Sequence, residues 1–322
     1  MATLITGGAG FIGSRLAQRL LTENEPVVIL DNFNDYYDPA VKRANIDALN
    51  GNAVVIEGDI RDEACIQEIF QTHPVRRVAH LAAMAGMRYS IERGRLYADV
   101  NTGATVSLLD AARRSGVDIF VLGSTSSVYG NADRIPFVED DAAAMPLAPY
   151  PASKRAAELF AHSYHNLFGL NVNVLRFFNV YGPHGRPDMM PLKALDHILN
   201  GKTIQMYAGG ALMRDWTYID DIVDGVVAAL QRPMGYQIFN LGFGSPLSFV
   251  DFIRIYEELT GKHAVTEIVE APLSEAKTTY CDNSRAREHL GFAPKIDIRE
   301  GLSRTWAWYR QRYLDPQNST SD

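Results

Sequence analysis

A glycine-rich turn near the start of the chain constrains the fold more than any other feature. Gly7, Gly10 and Gly13 stand three residues apart, between an apolar run at residues 2–6 and a helical pattern at 14–21. Glycine tolerates positive φ and lets the backbone approach a ligand closely, and a helix that begins at such a turn directs its free N–H groups at phosphates. Strand, glycine turn and helix in this order predict a dinucleotide-binding unit rather than a merely tight turn.

Further apolar runs alternate with helical patterns along the first 180 residues. These runs carry little polar alternation, as expected of strands buried on both faces of a parallel sheet. A hairpin-like piece follows at 204–218, and residues 237–241 resemble one more strand that returns to the main sheet. The predicted fold class is α/β, a Rossmann doubly wound parallel sheet with a smaller interleaved C-terminal lobe. The strands predicted first are 2–6, 27–30, 54–56, 78–81, 119–122 and 172–178.

An acidic residue after the second predicted strand indicates which dinucleotide binds. Asp31 stands where a carboxylate can bond a ribose diol and repel a 2′-phosphate, so we predict NAD rather than NADP. Lys42 and Arg43 are then expected on a solvated helix face. For Asp59, which follows the third strand, the sequence leaves two interpretations open: it contacts the adenine amine, or it caps the helix over 61–71.

The regular alternation of apolar runs and helical patterns ends near residue 180, and this change predicts the domain boundaries. We assign 1–178 to an NAD-binding Rossmann domain, to which 236–260 returns. Segments 179–235 and 261–314 then form the lobe that binds substrate. The polar residues 315–322 are predicted to be a flexible tail.

Composition excludes several classes of protein. The net charge is −7 without a cluster of Lys or Arg, which argues against nucleic acid and anionic membranes as partners. No apolar run reaches the ~18 residues of a membrane span, and no basic segment precedes the first strand as in a signal peptide. The 2 cysteines lack metal-type spacing. We therefore expect free thiols, a cytoplasmic location and no bound metal.

A tyrosine and a lysine four residues apart begin a later helix. Tyr150 and Lys154 share one helical face, and a nearby ammonium stabilises phenolate and lowers the pKa of a tyrosine. Tyr150 is therefore predicted to be a general base near neutral pH. A hydroxyl-rich run with Thr125, Ser126 and Ser127 follows the fifth strand, at the sheet edge where doubly wound folds bind ligands.

The glycine turn, the hydroxyl cluster and the Tyr-Lys pair together resemble the extended short-chain dehydrogenase/reductase family, over essentially the whole chain. The resemblance implies an NAD-dependent enzyme in which Tyr150, Lys154 and Thr125 are catalytic. It also implies a homodimer built on the helices around 101–115 and 150–168. The cofactor contacts expected from the glycine turn and the resemblance are Gly7, Gly10, Phe11, Ile12, Gly13, Asp31, Asn32, Asp59, Ile60, Leu81, Ala82, Ala83, Asn101, Ser124, Tyr150, Lys154 and Phe177.

The hydroxyl cluster discriminates between branches of that family. Sugar-nucleotide 4,6-dehydratases and decarboxylases of the superfamily carry a carboxylate before the Val-Tyr-Gly, where this chain has Ser126 and Ser127. Epimerisation needs only the removal of hydride from the sugar and its return, so it remains as the predicted reaction. Four segments resemble UDP-glucuronate 4-epimerases, at 30–38, 85–90, 185–189 and 214–221. The substrate contacts that this resemblance implies are Arg88, Ser126, Ser127, Asn179, Arg186 and Arg214.

The resemblance implies a role for most of these residues. Ser126 and Ser127 contact the sugar carboxylate, Arg186 neutralises it or orders its loop, and Arg214 grips the UDP phosphates through its bidentate fork. The alternative for both arginines is a surface ion pair.

Two departures from the pattern bear on the substrate. UDP-glucuronate 4-epimerases usually have threonine at the position of Asn179. The asparagine of this chain is closer to the pattern of UDP-galactose 4-epimerases. The segment at 271–282, which normally closes over the nucleotide, lacks the usual Pro-Gly-Asp-Val, and Lys277 is a candidate for supplying charge there.

The predicted reaction is NAD-dependent 4-epimerisation of a UDP-sugar through a transient 4-keto sugar, with UDP-glucuronate as substrate and UDP-galacturonate as product. Tyr150 removes the C4 hydroxyl proton, hydride leaves C4, and hydride returns to the opposite face. The alternatives are a UDP-galactose or UDP-N-acetylglucosamine 4-epimerase and a net nucleotide-sugar dehydrogenase or reductase. An idle NAD-binding scaffold is disfavoured by the complete set of Thr125, Tyr150 and Lys154.

Overall fold

The computed structural model describes residues 1–315, so the predicted tail lies outside the described residues from position 316 onward. Twelve strands are present in this part of the chain. They are β1 (Ala2–Thr6), β2 (Val27–Asp31), β3 (Val54–Glu57), β4 (Val75–His80), β5 (Ile119–Thr125), β6 (Val172–Phe177), β7 (Asn179–Tyr181), β8 (Thr203–Tyr207), β9 (Met213–Tyr218), β10 (Tyr236–Leu241), β11 (Pro246–Ser248) and β12 (Val265–Val269).

Seven of these strands form one parallel sheet in the order β10-β6-β5-β4-β1-β2-β3. The order reverses at β1, which gives the doubly wound topology that the alternating apolar runs predict. Neighbouring residues of one strand face opposite sides, so Leu4 and Ile5, both 0% exposed, enter different cores. The Rossmann fold is therefore confirmed, and burial on both faces explains why its strands show so little polar alternation.

Helices cover both faces of this sheet. The core on one face includes side chains from α1 and α9, and the core on the other includes side chains from α3, α6 and α7. The helices are α1 (Phe11–Thr22), α2 (Pro39–Asp47), α3 (Glu63–Thr72), α4 (Met87–Ile91), α5 (Gly94–Tyr97), α6 (Ala104–Arg114), α7 (Pro149–Phe168), α8 (Met190–Asn200), α9 (Ile219–Leu230), α10 (Phe249–Thr260), α11 (Ser284–Leu290) and α12 (Ile298–Tyr309). None of the helices within residues 1–315 combines the length and apolarity needed to cross a membrane.

Two small sheets lie beyond the main one. One is three-stranded in the order β11-β9-β7, and the other pairs β12 with β8 in parallel. The predicted hairpin at 204–218 is wrong, because β8 and β9 belong to different sheets. The chain turns between them through Gly209 and Gly210, whose φ values of 66° and 83° redirect β9 toward β7 and β11.

Candidate active site

A cavity of about 580 Å³ opens at the carboxyl ends of the central strands of the main sheet. Its size and its position beside the reversal of strand order are typical of ligand sites in doubly wound folds. Every site residue predicted from the sequence lines this cavity except Asn101 and Arg88. The structure therefore brings the expected cofactor contacts and substrate contacts into one continuous space.

The glycine turn forms the floor of the cavity beside the first residue of α1. Gly7 has a φ of 71°, and a Cβ built there would lie 2.7 Å from the Ala82 backbone nitrogen. A Cβ on Gly13 would lie 2.3 Å from the Gly7 carbonyl oxygen. No side chain caps α1 at Gly10, and the start of this helix lines the cavity, so the N–H groups of its first turn are left without a side-chain partner there. This cradle fits the pyrophosphate of a dinucleotide.

Asp31 lies at the end of β2, where the cradle meets the next part of the cavity. Its carboxylate accepts hydrogen bonds from the backbone nitrogens of Ala9 (3.1 Å) and Phe33 (2.9 Å), which fix its position. Lys42 Nζ lies 3.6 Å from the Asp31 carboxylate and is buried, so the prediction of a solvated position is wrong for this residue. The inner face of α2 turns Lys42 toward Asp31, while Arg43 faces outward and pairs with Glu57.

Asp59 lies on the cavity wall near Asn32, whose amide donates to its carboxylate over 2.9 Å. The hydrogen bond from Arg61, together with its charge, lowers the pKa of Asp59 to about 2. The helix-cap interpretation is wrong, because Asp62 caps α3 by accepting from the backbone nitrogens of Ala64 and Cys65. Asp59 is therefore a hydrogen-bonded carboxylate on the cavity wall.

Asn101 does not line the cavity but lies directly behind its wall. It belongs to a π-helical turn at Ala98–Gly103 and is fully buried. Its side chain accepts from the backbone nitrogen of Met84 (2.8 Å) and donates to the Met84 carbonyl (2.9 Å) and to Ser153 Oγ (3.0 Å). The expectation of a direct cofactor contact is therefore corrected to support of Met84, a wall residue, and of α7.

The first turns of α7 carry Tyr150 and Lys154 into the cavity, opposite Thr125 at the end of β5. Burial raises the pKa of the Tyr150 phenol, while the Thr125 hydroxyl and the positive charge of Arg186 oppose this shift. The predicted net lowering of this pKa is therefore wrong for the protein alone, because the dry pocket penalises the phenolate. Burial lowers the pKa of Lys154 to about 8, against the opposing charge of Glu158.

The wall of the cavity carries two partly buried arginines, and each forms an ion pair with a carboxylate of the protein. Arg186 donates from Nε (3.0 Å) and Nη2 (2.6 Å) to the two oxygens of Asp188, and its guanidinium lies over the ring of Tyr36 at 5.1 Å. Arg214 donates from Nη2 to Glu275 over 3.0 Å. Both arginines therefore hold a carboxylate of the protein itself at the edge of the cavity.

Arg88 lies outside the cavity, which corrects its prediction as a substrate contact. Its guanidinium lies over the ring of Tyr207 at 5.0 Å and contacts Glu275 at 3.4 Å, with half of the side chain exposed. Lys277, the candidate for supplying charge in the unusual segment, is exposed and does not line the cavity. That segment instead turns Glu275 inward, between Arg88 and Arg214.

Three residues that contact the cavity arginines had no role predicted from the sequence: Tyr36, Asp188 and Glu275. Tyr36 and Asp188 stand inside segments that resemble the 4-epimerases, so the signal was present but gave no role to either residue. Glu275 stands in the segment at 271–282 that lacks the usual motif. The predicted contacts Ser126, Ser127 and Asn179 also line the cavity.

Comparison with known proteins places this geometry in a family. The model of the NAD dependent epimerase/dehydratase family matches residues 3–242. The UDP-glucuronate 4-epimerase of Thermodesulfobacterium geofontis is 42% identical over 311 residues, which cover 96% of each chain.

Solved structures agree with this assignment. The UDP-glucuronic acid 4-epimerase from Bacillus cereus in complex with UDP-glucuronic acid and NAD superposes with a TM-score of 0.91 at 34% identity, covering 97% of this chain and 100% of that one. The UDP-glucose 4-epimerase of Thermotoga maritima with UDP-glucose gives a TM-score of 0.89 at 29% identity, covering 97% and 99%. The chain belongs to the NAD dependent epimerase/dehydratase family.

Proposed function

We propose that this enzyme catalyses the NAD-dependent 4-epimerisation of UDP-glucuronate to UDP-galacturonate. The observation that carries the proposal is the lining of one cavity, which brings the set of Tyr150, Lys154 and Thr125 together with Arg186 and further hydroxyl groups. A uronate fits this space because its C4 hydroxyl needs a proton acceptor and its carboxylate needs a cation and hydrogen-bond donors. The relatives named UDP-glucuronate 4-epimerase support the same substrate.

Tyr150 takes the C4 hydroxyl proton and later returns it. The Thr125 hydroxyl bridges the phenol and the substrate oxygen, and the Lys154 ammonium stabilises the phenolate. NAD held by the glycine turn and Asp31 would supply the hydride acceptor for C4 and a positive charge that favours the phenolate. Because the same groups serve both directions of proton transfer, positioning of the substrate carries most of the rate.

Several groups then hold the two ends of the substrate. We assign Arg214 to the diphosphate and Arg186, with Ser126 and Ser127, to the sugar carboxylate. A 4-keto uronate is a β-keto acid and loses CO₂ readily when its carboxylate turns out of the ring plane. Donors that hold this carboxylate in the plane preserve the intermediate, and the absence of a carboxylate at positions 126 and 127 keeps an extra acid or base away from C5.

The proposal is tested by incubating the purified enzyme with UDP-glucuronate, UDP-glucose and UDP-N-acetylglucosamine and resolving the epimers. UDP-glucuronate is expected to give the highest kcat/KM. Replacing Tyr150 with phenylalanine is expected to lower kcat by roughly 10²–10⁴-fold, the contribution typical of a positioned acid-base group. Equal turnover in Tyr150→Phe rejects the base, and a preference for UDP-glucose rejects the uronate.

One observation favours a second substrate class. Asn179, where the 4-epimerases of uronates carry threonine, lines the cavity and accepts a hydrogen bond from Thr279 at 3.3 Å. An amide there suits a neutral sugar as in UDP-galactose 4-epimerases, so UDP-glucose activity in the same experiment decides between the two.

We further propose a homodimer that packs through α6 and α7. The outer face of α7 exposes four large apolar side chains. An exposed apolar patch of this kind is typical of a protein–protein interface. These side chains are Leu159, Phe160, Leu167 and Phe168, which are 44–68% exposed. Light scattering of the holoenzyme is expected to give twice the chain mass of 35.7 kDa.

The two free cysteines support a cytoplasmic location. We also propose 1–178 with 236–260 as the cofactor domain.

A further inference from the structure

Glu158 is a fully buried carboxylate that has no contact with the cavity, yet it joins three elements that do. It lies on α7 one turn after Lys154 and is 0% exposed. Ser124 precedes Thr125 on β5, and its hydroxyl donates to Glu158 Oε1 over 2.5 Å. Arg176, the residue before Phe177 on β6, donates to both Glu158 oxygens over 3.1 and 2.8 Å.

The strand register brings these partners together. Ser124 and Arg176 are paired neighbours on β5 and β6, so a single carboxylate can bridge both strand ends from the helix that packs across them. The Tyr236 hydroxyl from β10 also donates to the Glu158 carbonyl oxygen over 3.0 Å. Glu158 is thus bonded to three strands of the main sheet.

We propose that Glu158 is a positioning residue, which fixes Tyr150 and Lys154 against Thr125 by tying α7 to the ends of β5 and β6. The inference rests on the proposed roles of Tyr150 and Lys154. Because Tyr150 and Lys154 lie within the two turns that precede Glu158, a shift of the helix along β5 displaces both from Thr125. A displacement of this size is costly for proton transfer, which depends on heavy-atom separations near hydrogen-bond length.

The same carboxylate acts on Lys154 through its charge. Burial lowers the pKa of Lys154, and the charge of Glu158 opposes that shift. Arg155, which is 21% exposed, donates to Glu158 Oε2 over 3.0 Å and so weakens the field that reaches Lys154. The ionisable groups around this pair are His80 on β4, Tyr129 after β5, Tyr150, Arg155 and His162 on α7, Arg176 on β6 and Tyr236 on β10.

Two substitutions therefore move the Lys154 midpoint in opposite directions. Glu158→Gln removes the anion and lowers the pKa of Lys154 by roughly one unit, the size typical of a lost opposite charge nearby. Arg155→Gln removes a cation from the same cluster and raises that pKa by a smaller amount. A purely structural role would move the midpoint in neither variant, or in the same direction in both.

The experiment titrates the holoenzyme grown with lysine labelled at Cε with ¹³C. The chain has 7 lysines, and the resonance of Lys154 is identified by its loss in Lys154→Arg. The high-pH limb of kcat/KM for UDP-glucuronate is followed in parallel, and is expected to move with the midpoint. In Glu158→Gln at neutral pH, kcat is expected to fall more than KM changes. Arg254→Gln is the matched control. Arg254 pairs with Asp251 on α10, and the two residues are three positions apart on the helix, as are Arg155 and Glu158.

An unchanged kcat in folded Glu158→Gln overturns the positioning role, and unchanged midpoints, or equal shifts in both variants, overturn the action of its charge on Lys154. Thermal unfolding shows whether each variant folds, because Glu158→Gln leaves the buried Arg176 without a full partner. If Glu158→Gln does not fold, Arg155→Gln alone decides, and a midpoint that falls or stays constant rejects the inference. If instead Tyr150→Phe retains full turnover, the proposed base fails, while the Lys154 titration still reports whether Glu158 acts on it.

Discussion

The two ends of the cavity are built in different ways. At the cofactor end, the phosphate cradle consists of backbone, and its side chain Asp31 is held by backbone nitrogens. At the substrate end, the important groups are charged side chains on loops and short strands, and each is held by another side chain. Arg214 is held by Glu275 and Arg186 by Asp188. The first end is fixed by chain geometry, and the second by ion pairs that a ligand can replace.

This difference predicts how each end responds to change. Backbone geometry tolerates no added atoms, so a single methyl group at the cofactor end should be severe and should affect NAD alone. Side-chain pairs can be exchanged one for another, so substitutions at the substrate end should be graded and should change sign with the charge removed.

The largest effect is expected from Gly13→Ala. The added Cβ would lie 2.3 Å from the Gly7 carbonyl oxygen and 2.8 Å from the Gly8 Cα, so the cradle must open. NAD affinity measured by calorimetry is expected to fall roughly 100-fold, equivalent to about 2.7 kcal/mol. Gly103→Ala is the control, since its nearest atom is 3.8 Å away. Equal NAD affinity in the two variants would show that the turn is not the phosphate site.

An intermediate effect is expected from Arg214→Gln. Loss of this nearly buried cation should weaken binding of UDP roughly 30-fold, or about 2 kcal/mol, while NAD affinity stays unchanged. Arg304→Gln, which removes a surface arginine paired with Glu300, is expected to change neither affinity. If Arg214→Gln weakens NAD as much as UDP, the two ends of the cavity are not independent.

The smallest effect, of opposite sign, is expected from Glu275→Gln. Its carboxylate competes with phosphate for Arg214, so its removal should tighten UDP binding by roughly threefold, in keeping with a partly exposed ion pair. Glu267→Gln on β12, an exposed residue outside the main cavity, serves as the matched control. Weaker UDP binding in Glu275→Gln would instead identify Glu275 as a direct contact of the nucleotide.

The same difference explains what the sequence could predict. The glycine spacing, the apolar strands and Asp31 depend on local chain geometry, and local geometry leaves a regular pattern in the sequence. The Rossmann sheet was predictable for this reason, and β1 begins and ends at the predicted residues. The Tyr150-Lys154 spacing is equally local, because four residues along a helix always share a face.

Pairs that form across the fold leave no such pattern. Nothing local indicates that Glu275 meets Arg214 at a separation of 61 residues, or that Lys42 turns inward toward Asp31. The misplaced hairpin has the same origin, because β8 finds its partner in β12 and not in the next strand. In the protein alone, the pKa of Tyr150 is raised and not lowered, since burial of a side chain is a property of the assembled cavity.

Strand β10 has a consequence for how the protein is made and how it comes apart. It follows the segment that carries Arg186 and Arg214, yet it pairs with β6 along six residues of the main sheet. During synthesis the apolar edge of β6 stays open until residue 241 has emerged, and such an edge is prone to pair with other chains. Once β10 is in place, the segment that carries these two arginines is closed by a strand of the main sheet. We therefore expect occupancy by either ligand to protect both ends of the cavity from heat and proteolysis.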